Sequence, residues 1–289
     1  MLKKLLVGKS DRWLLIRDYI LNILLGISIL YFAFIIMWGL NYNRLSLSNI
    51  MGLEIKPSPT EELVALNEEL LGTVNELRGS MLEDENGVMI PFGGTKSGFQ
   101  RSKLGYLKAA TIFPEFAGIN SRPKPLLFSS IIAYTNIWGI YSPFTAESNV
   151  NMAIPSPMLL STMMHEMAHQ LGFAREDEAN YVAYITCSMH PDDDFRYAGA
   201  LFALSYTMNA VYQQDKEAYR DFYSRLDEGA KRDLAENTKY SKKYEGPVGD
   251  AFTKSNDIYL KANNQKDGER SYGRMVDLLL AEYRYRLSR

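Results

Sequence analysis

The chain has 289 residues, enough for one large domain or two small ones, and its 46% hydrophobic and 23% charged content is that of a folded protein rather than a disordered one. A formal charge of −2 leaves no basic excess to neutralise phosphates, which excludes nucleic acid as an expected partner. Cys187 is the only cysteine, so neither an internal disulfide nor a thiolate-rich metal site can form, whereas two of the three histidines, His165 and His169, stand at i and i+4.

Lys3, Lys4, Lys9, Arg12 and Arg17 make residues 1–18 basic. From Tyr19 to Asn43 no residue carries a formal charge, and the run YILNILLGISILYFAFIIMWGL is apolar on every face. A helix needs about 20 such residues to cross a bilayer, so 19–43 reads as a transmembrane helix with the lipid bilayer as its partner. Trp38 and Tyr42 fit an interfacial aromatic belt at its end. A signal peptide fits less well, because no small-residue cleavage site follows Leu40. Only Arg44 and Lys56 follow closely, and the positive-inside rule sets residues 1–18 in the cytoplasm, giving a single-pass protein of the cell membrane with residues 44–289 outside.

Residues 44–101 read as a juxtamembrane helix and loop. Ser58 and Glu61 have the spacing of a capping box, and Leu63, Leu66, Leu70, Val74 and Leu77 recur at helical intervals. This helix lies against either the main domain or the membrane surface. The Gly-rich stretch 79–101 predicts a loop. Residues 102–289 form the main domain. Pro123 and Pro125 open PLLFSSIIAYTNIWGIYSPFT, whose Ile, Tyr, Thr and Phe content predicts one or two strands ending near Pro143.

Beyond Pro155 the pattern is helical. Ser156-Pro157 reads as an N-cap followed by proline at the first helical position, and Gly172 as a left-handed stop. Further helices are predicted at 175–189, 194–213, 215–228, 231–243, 249–264 and 270–287. The fold class is therefore mainly α with a small β-sheet, an α+β domain preceded by one transmembrane helix.

The chemistry concentrates in HEMAH at 165–169. Imidazoles at i and i+4 share one helix face and can reach a single ion, while Glu166, about 100° round the helix, can reach a metal-bound water as general base. Ser161, His165, Ala168, His169 and Gly172 form one stripe; Leu160, Met163, Met164, Met167 and Leu171 form the opposite, core-facing one. Zinc as a catalytic cofactor takes three protein ligands and keeps one position open. The following helix, REDEANYVAYITC, offers Glu176 as third ligand, with Glu178 as the alternative, and Asn180 on the Glu176 face to orient a ligand imidazole. His190, before Pro191, reads as a capping or surface histidine.

HEMAHQLGFAREDEANYVAY resembles gluzincin-type zinc peptidases, in which HExxH is followed by a glutamate ligand in an ExxxD or ExxxN helix. Together with WGLNYNR, GIYSPFTAESNVN and NDIYLKANNQKDGERSYGRMVDLLL, it resembles more closely an uncharacterised bacterial membrane family of unknown function in that clan. Members often carry further N-terminal membrane helices; here one is visible. Asn180 stands where many gluzincins have Asp. The resemblance implies a gluzincin-like catalytic core outside the membrane.

The expected activity is hydrolysis of peptide bonds in exported proteins or peptides, with zinc lowering the pKa of a bound water and Glu166 moving its proton to the leaving amine. Tyr206, Tyr259, Arg270 and Tyr272 are candidate donors to the oxyanion, each weighed against a packing role. Asn149 and Asn151 are candidate contacts to substrate backbone, on the stretch where the resembled peptidases hold an edge strand; equally, they can satisfy turns. The competing expectation is an inactive metal-containing membrane binding or envelope-scaffold protein, against which an intact Glu166 argues.

Overall fold

The apolar N-terminal run forms α1 (Lys9–Met37) in the computed structural model, which describes residues 9–118, 121–263 and 265–288. Residues 1–8, with Lys3 and Lys4 of the basic flank, lie outside the described residues. The stretch Arg12–Met37 is long and apolar enough to cross a membrane, and its most apolar window is wholly outside the packed core. The helix ends at Met37, not at Asn43 as predicted. A 3-10 turn at Gly39–Asn43 redirects the chain, and Trp38 and Tyr42 point inward to pack with Ala174 instead of forming an interfacial belt. The reason is polar as much as apolar: the indole N–H and the phenol need partners when buried, and both find the Tyr259 hydroxyl.

After α2 (Leu47–Met51), helix α3 (Thr60–Arg78) buries Leu63, Leu66, Leu70 and Val74 as their spacing predicted. The expected capping box does not form. Pro59 holds the N-cap position, and Ser58 turns away to donate to Lys56 O and accept from Arg284. The predicted loop 79–101 is ordered into a hairpin, β1 (Leu82–Glu83) with β2 (Met89–Ile90), followed by α4 (Gly94–Arg101) and α5 (Lys103–Ala109). Asp233 ties this hairpin into the domain. Fully buried, it accepts from Arg78 Nε at 2.9 Å, Met89 N at 2.8 Å and Tyr197 Oη at 2.5 Å. Residues 47–99 thus share one core with the C-terminal helices, so α3 lies against the main domain, one of the two placements expected for it.

A second sheet precedes the histidine helix. β3 (Lys124–Pro125) runs parallel to β5 (Glu147–Val150), which pairs antiparallel with β4 (Gly139–Ser142), in the order β3-β5-β4. The residues between β3 and β4, predicted as strand, form α6 (Ser129–Ile132) and a 3-10 turn at Ala133–Thr135. Phe128 adopts a left-handed φ of 58°, and Ser129 Oγ donates to Leu126 O at 2.6 Å while accepting from Met152 N. These local side-chain bonds compete with a ladder and turn the chain.

Helix α7 (Ser156–Gln170) runs through the centre of the domain, against β4, β5, α8 (Glu176–Ser188) and α9 (Asp193–Gln214). Met158, Leu160, Met163, Met164 and Met167 are buried, each side chain of this kind contributing about 1.5–3 kcal/mol. Ser156 is the first helical residue, and the cap position falls to Pro155. The remaining helices are α10 (Lys216–Arg225), α11 (Glu228–Tyr244), α12 (Pro247–Ala262) and α13 (Met275–Leu287). Asp215 and Asp227 cap the first two through paired backbone N–H bonds. The last helix, predicted to start at 270, starts at Met275, and Gly268–Arg274 form a 3-10 segment before it.

Candidate metal centre

The end of α7 sets the position of His169. Gly172, at φ 80°, closes the helix: its N–H bonds His169 O at 3.0 Å and the Phe173 N–H bonds Ala168 O at 3.3 Å. This pair of bonds is a Schellman cap, which requires a left-handed residue at that point. The cap also aims the Phe173 carbonyl back at the helix, where it accepts from His169 Nδ1 at 2.7 Å. His169 is therefore fixed with Nε2 free to face the cleft.

His165 is oriented from the next helix. Its Nδ1–H donates to Asn180 Oδ1 at 2.7 Å, and Asn180 Nδ2 donates in turn to Tyr272 O at 3.1 Å. Glu176 is the first residue of α8, held by a bond from its N–H to Gln265 Oε1 at 3.1 Å. Its Oε2 lies 3.2 Å from His165 Nε2 and 3.7 Å from His169 Nε2. One donor atom from each of these three residues lies within 4.8 Å of the others, close enough to hold a metal ion together. Glu178 does not join them. Its carboxylate accepts from Leu47 N and from Arg175, fastening α2 to α8.

The four titratable groups divide sharply. Burial opposes charge on His165, yet its hydrogen bond to Glu176 and the charge of that carboxylate raise its pKa overall. Burial drives His169 down to about 4 against the pull of Glu176, with the charge of His165 adding to the depression. Burial also acts to raise Glu176, but the bond from His165 and the charges of both rings bring it below the usual carboxylate range. Glu166 is different. Only 4% exposed, it is pushed up to about 8 by burial, with Glu176 adding to the rise and His165 opposing it. Its Oε2 has no hydrogen-bond partner among the described residues.

All four groups line a cleft of about 900 Å³. Its other walls come from the turn after α1, from β4, and from α9, α11 and α12. Gly139 on β4 lies over Glu166, where an added Cβ would come within 2.2 Å of Oε1; only glycine permits this approach. The edge strand at the cleft is β4, while β5, which carries Asn149, is central. Asn149 spends its amide on Ile140 O and Glu147 O, and Asn151 on Ile137 O and Ala153 N; neither lines the cleft. The amides of these two asparagines are satisfied within their own chain, in line with the second of the two roles expected of them.

Of the four candidate donors, Arg270 is exposed and does not line the cleft. Tyr272 lies beside Glu176 and helps hold its carboxyl below the usual range, and Tyr259 is engaged by Trp38 and Tyr42. The Tyr206 hydroxyl lines the cleft and accepts from Asn180 Nδ2 at 3.4 Å, which leaves its own proton to donate. Burial raises its pKa to about 12, so that proton stays on at neutral pH. His190 packs on Phe195 and bridges Arg101 O to Asp192 N ahead of α9, a buried structural cap.

Several cleft residues escaped the sequence reading. Trp38 stands edge-on to His169 with ring centroids 5.6 Å apart, and Glu269 adds a third carboxylate bonded by Asn256; Gln265, outside the cleft wall, fixes the start of α8. None belongs to a local periodic pattern that would mark it in the sequence. A family profile described as "Protein of unknown function (DUF3810)" matches residues 4–280. No curated protein and no solved structure matches the chain.

Proposed function

The chain belongs to the DUF3810 family, and from that premise we propose that it is a membrane-anchored, zinc-dependent peptidase of the gluzincin type, hydrolysing peptide bonds of exported proteins or peptides. The observation that carries this reading is the convergence of His165 Nε2, His169 Nε2 and Glu176 Oε2 beside the buried, unpartnered Oε2 of Glu166. Two imidazole nitrogens and one carboxylate oxygen are a donor set that catalytic zinc takes. Both rings have their Nδ1–H engaged outside the cluster, which fixes the tautomer that presents Nε2. A purely structural site has no use for a carboxylate held unbonded against the cluster.

Zinc, when bound, supplies Lewis acidity toward a water molecule and the scissile carbonyl. Glu166 Oε2 takes a proton from the attacking water and delivers it to the departing amine nitrogen. Tyr206 Oη donates to the carbonyl oxygen as negative charge develops there. The open edge of β4 offers backbone groups to an extended peptide running past Gly139. Among the described residues lining the cleft there is no lysine or arginine, so nothing there clamps a substrate's terminal carboxylate. That favours cleavage of internal bonds or from an amino end. The excess of Lys and Arg before Tyr19 over those just after Asn43 supports an extracytoplasmic side for the cleft by the positive-inside rule.

Zinc content and hydrolysis of a peptide library by the full chain, as wild type and as Glu166→Gln, test the reading. The expected result is stoichiometric zinc in both proteins and hydrolysis by the wild type alone. Hydrolysis that survives the substitution refutes the role of Glu166. Zinc without hydrolysis in the wild type points to an inactive scaffold.

A further inference from the structure

The membrane-spanning helix does not stop short of the cleft. Phe34, three residues before the end of the apolar stretch Arg12–Met37, lines it together with Trp38 and Tyr42. Three helical residues correspond to about 4.5 Å along the axis. The uncharged part of the stretch, from Tyr19 to Met37, is about 28 Å long at 1.5 Å per residue, against roughly 30 Å of hydrocarbon, so its upper end sits at headgroup level.

No flexible tether separates this helix from the site. Trp38 Nε1 donates to Tyr259 Oη at 3.1 Å, and the Tyr42 and Tyr259 hydroxyls share a bond of 3.0 Å. Arg44 donates to Leu171 O at 2.8 Å, on the cap of the histidine helix, and stacks over Phe173. Asn41 Oδ1 lies 2.9 Å from where a Cβ on Gly172 would stand, so the exit turn packs directly against the cap that orients His169. A flexible linker would let a catalytic domain sample heights above a bilayer; this hydrogen-bonded turn holds one height. Trp38 is one helical turn beyond Phe34 and its ring contacts that of His169, which puts the reacting centre on the order of 10 Å from the headgroup level, or about three extended residues.

We infer that the substrates are polypeptides cut within a few residues of their own exit from the bilayer: juxtamembrane segments of membrane-embedded proteins, not soluble chains. This rests on the peptidase reading above and deepens it by naming the substrate class.

The test uses the full chain, zinc-loaded, in lipid nanodiscs, with two single-span substrates carrying the same cleavable cassette. In one the cassette follows the span directly; in the other a semi-rigid helical spacer of about 20 residues raises it about 30 Å. Both substrates are membrane-tethered, so surface concentration does not separate them. The proximal cassette is expected to be cleaved at least tenfold faster, in a Glu166-dependent manner. In a second arm, the Glu166→Gln chain with Phe34→p-benzoylphenylalanine is expected to photo-crosslink to the proximal cassette and not to the raised one. Equal rates and equal crosslinks at both heights overturn the inference and leave the peptidase reading standing. Failure of the wild type to cut either cassette overturns that reading and the inference with it.

Discussion

Asn180 offers the sharpest test of how the centre is held. It is 2% exposed, accepts the His165 Nδ1–H at 2.7 Å and donates to the Tyr272 carbonyl at 3.1 Å. Asn180→Ala frees the His165 ring to rotate and to present either nitrogen. Outer partners of this kind change metal affinity by about 10–100-fold, or about 1.4–2.7 kcal/mol. Loss of the buried bond to Tyr272 costs about 1–3 kcal/mol of fold stability, a separate quantity. Zinc affinity measured by competition with a chromophoric chelator is therefore expected to fall about 10–100-fold, while thermal unfolding of the zinc-free protein shifts down by several degrees. Asn180→Asp keeps an acceptor for His165 and is expected to restore most of the affinity without restoring the donor to Tyr272. Wild-type affinity in Asn180→Ala would refute the claim that this amide orients His165, whatever happens to stability.

Three further outcomes follow from the packing. Gly139→Ala brings a methyl group to about the place of Glu166 Oε1 and, by displacing the base, is expected to lower peptide hydrolysis about 100-fold at unchanged zinc content; full activity would remove Gly139 from the site. Gly172→Ala forces an alanine to φ 80° and against Asn41, and chemical denaturation should show a loss of about 1–2 kcal/mol, with Gly172→Asn less affected because Asn tolerates that backbone. Asp233→Ala leaves buried Arg78 without its inner partner, and the same assay is expected to show a loss of about 3–5 kcal/mol; a loss below about 1 kcal/mol would refute the view that residues 78–90 are integral to the core.

Features written in local, periodic patterns were legible in the sequence. The helical spacing in α3 places Leu63, Leu66, Leu70 and Val74 in the core, and the i, i+4 spacing brings His165 and His169 to one face with Glu176 from the next helix. The relation of Asn180 to His165 was legible for the same reason, since both helices are regular and joined by a short turn. Where side chains make local bonds of their own, the pattern misled. LLFSSIIAY has strand composition, yet Ser129 bonds its neighbours and the chain turns helical. Ser58 and Glu61 have capping spacing, yet Arg284 claims the serine.

By itself the sequence determined the apolar helix, the histidine pair with its adjacent carboxylate, and the helical character of the C-terminal half, because each depends on residues a turn or two apart. Only the tertiary structure decided that Trp38 and Tyr42 leave the helix to wall the cleft, that Gly139 covers Glu166, and that Tyr206 rather than Arg270 faces the site. Those partners are distant along the chain. Buried N–H, O–H and carboxyl groups must find hydrogen bonds wherever the fold supplies them, and nothing in the spacing of nearby residues records where that is.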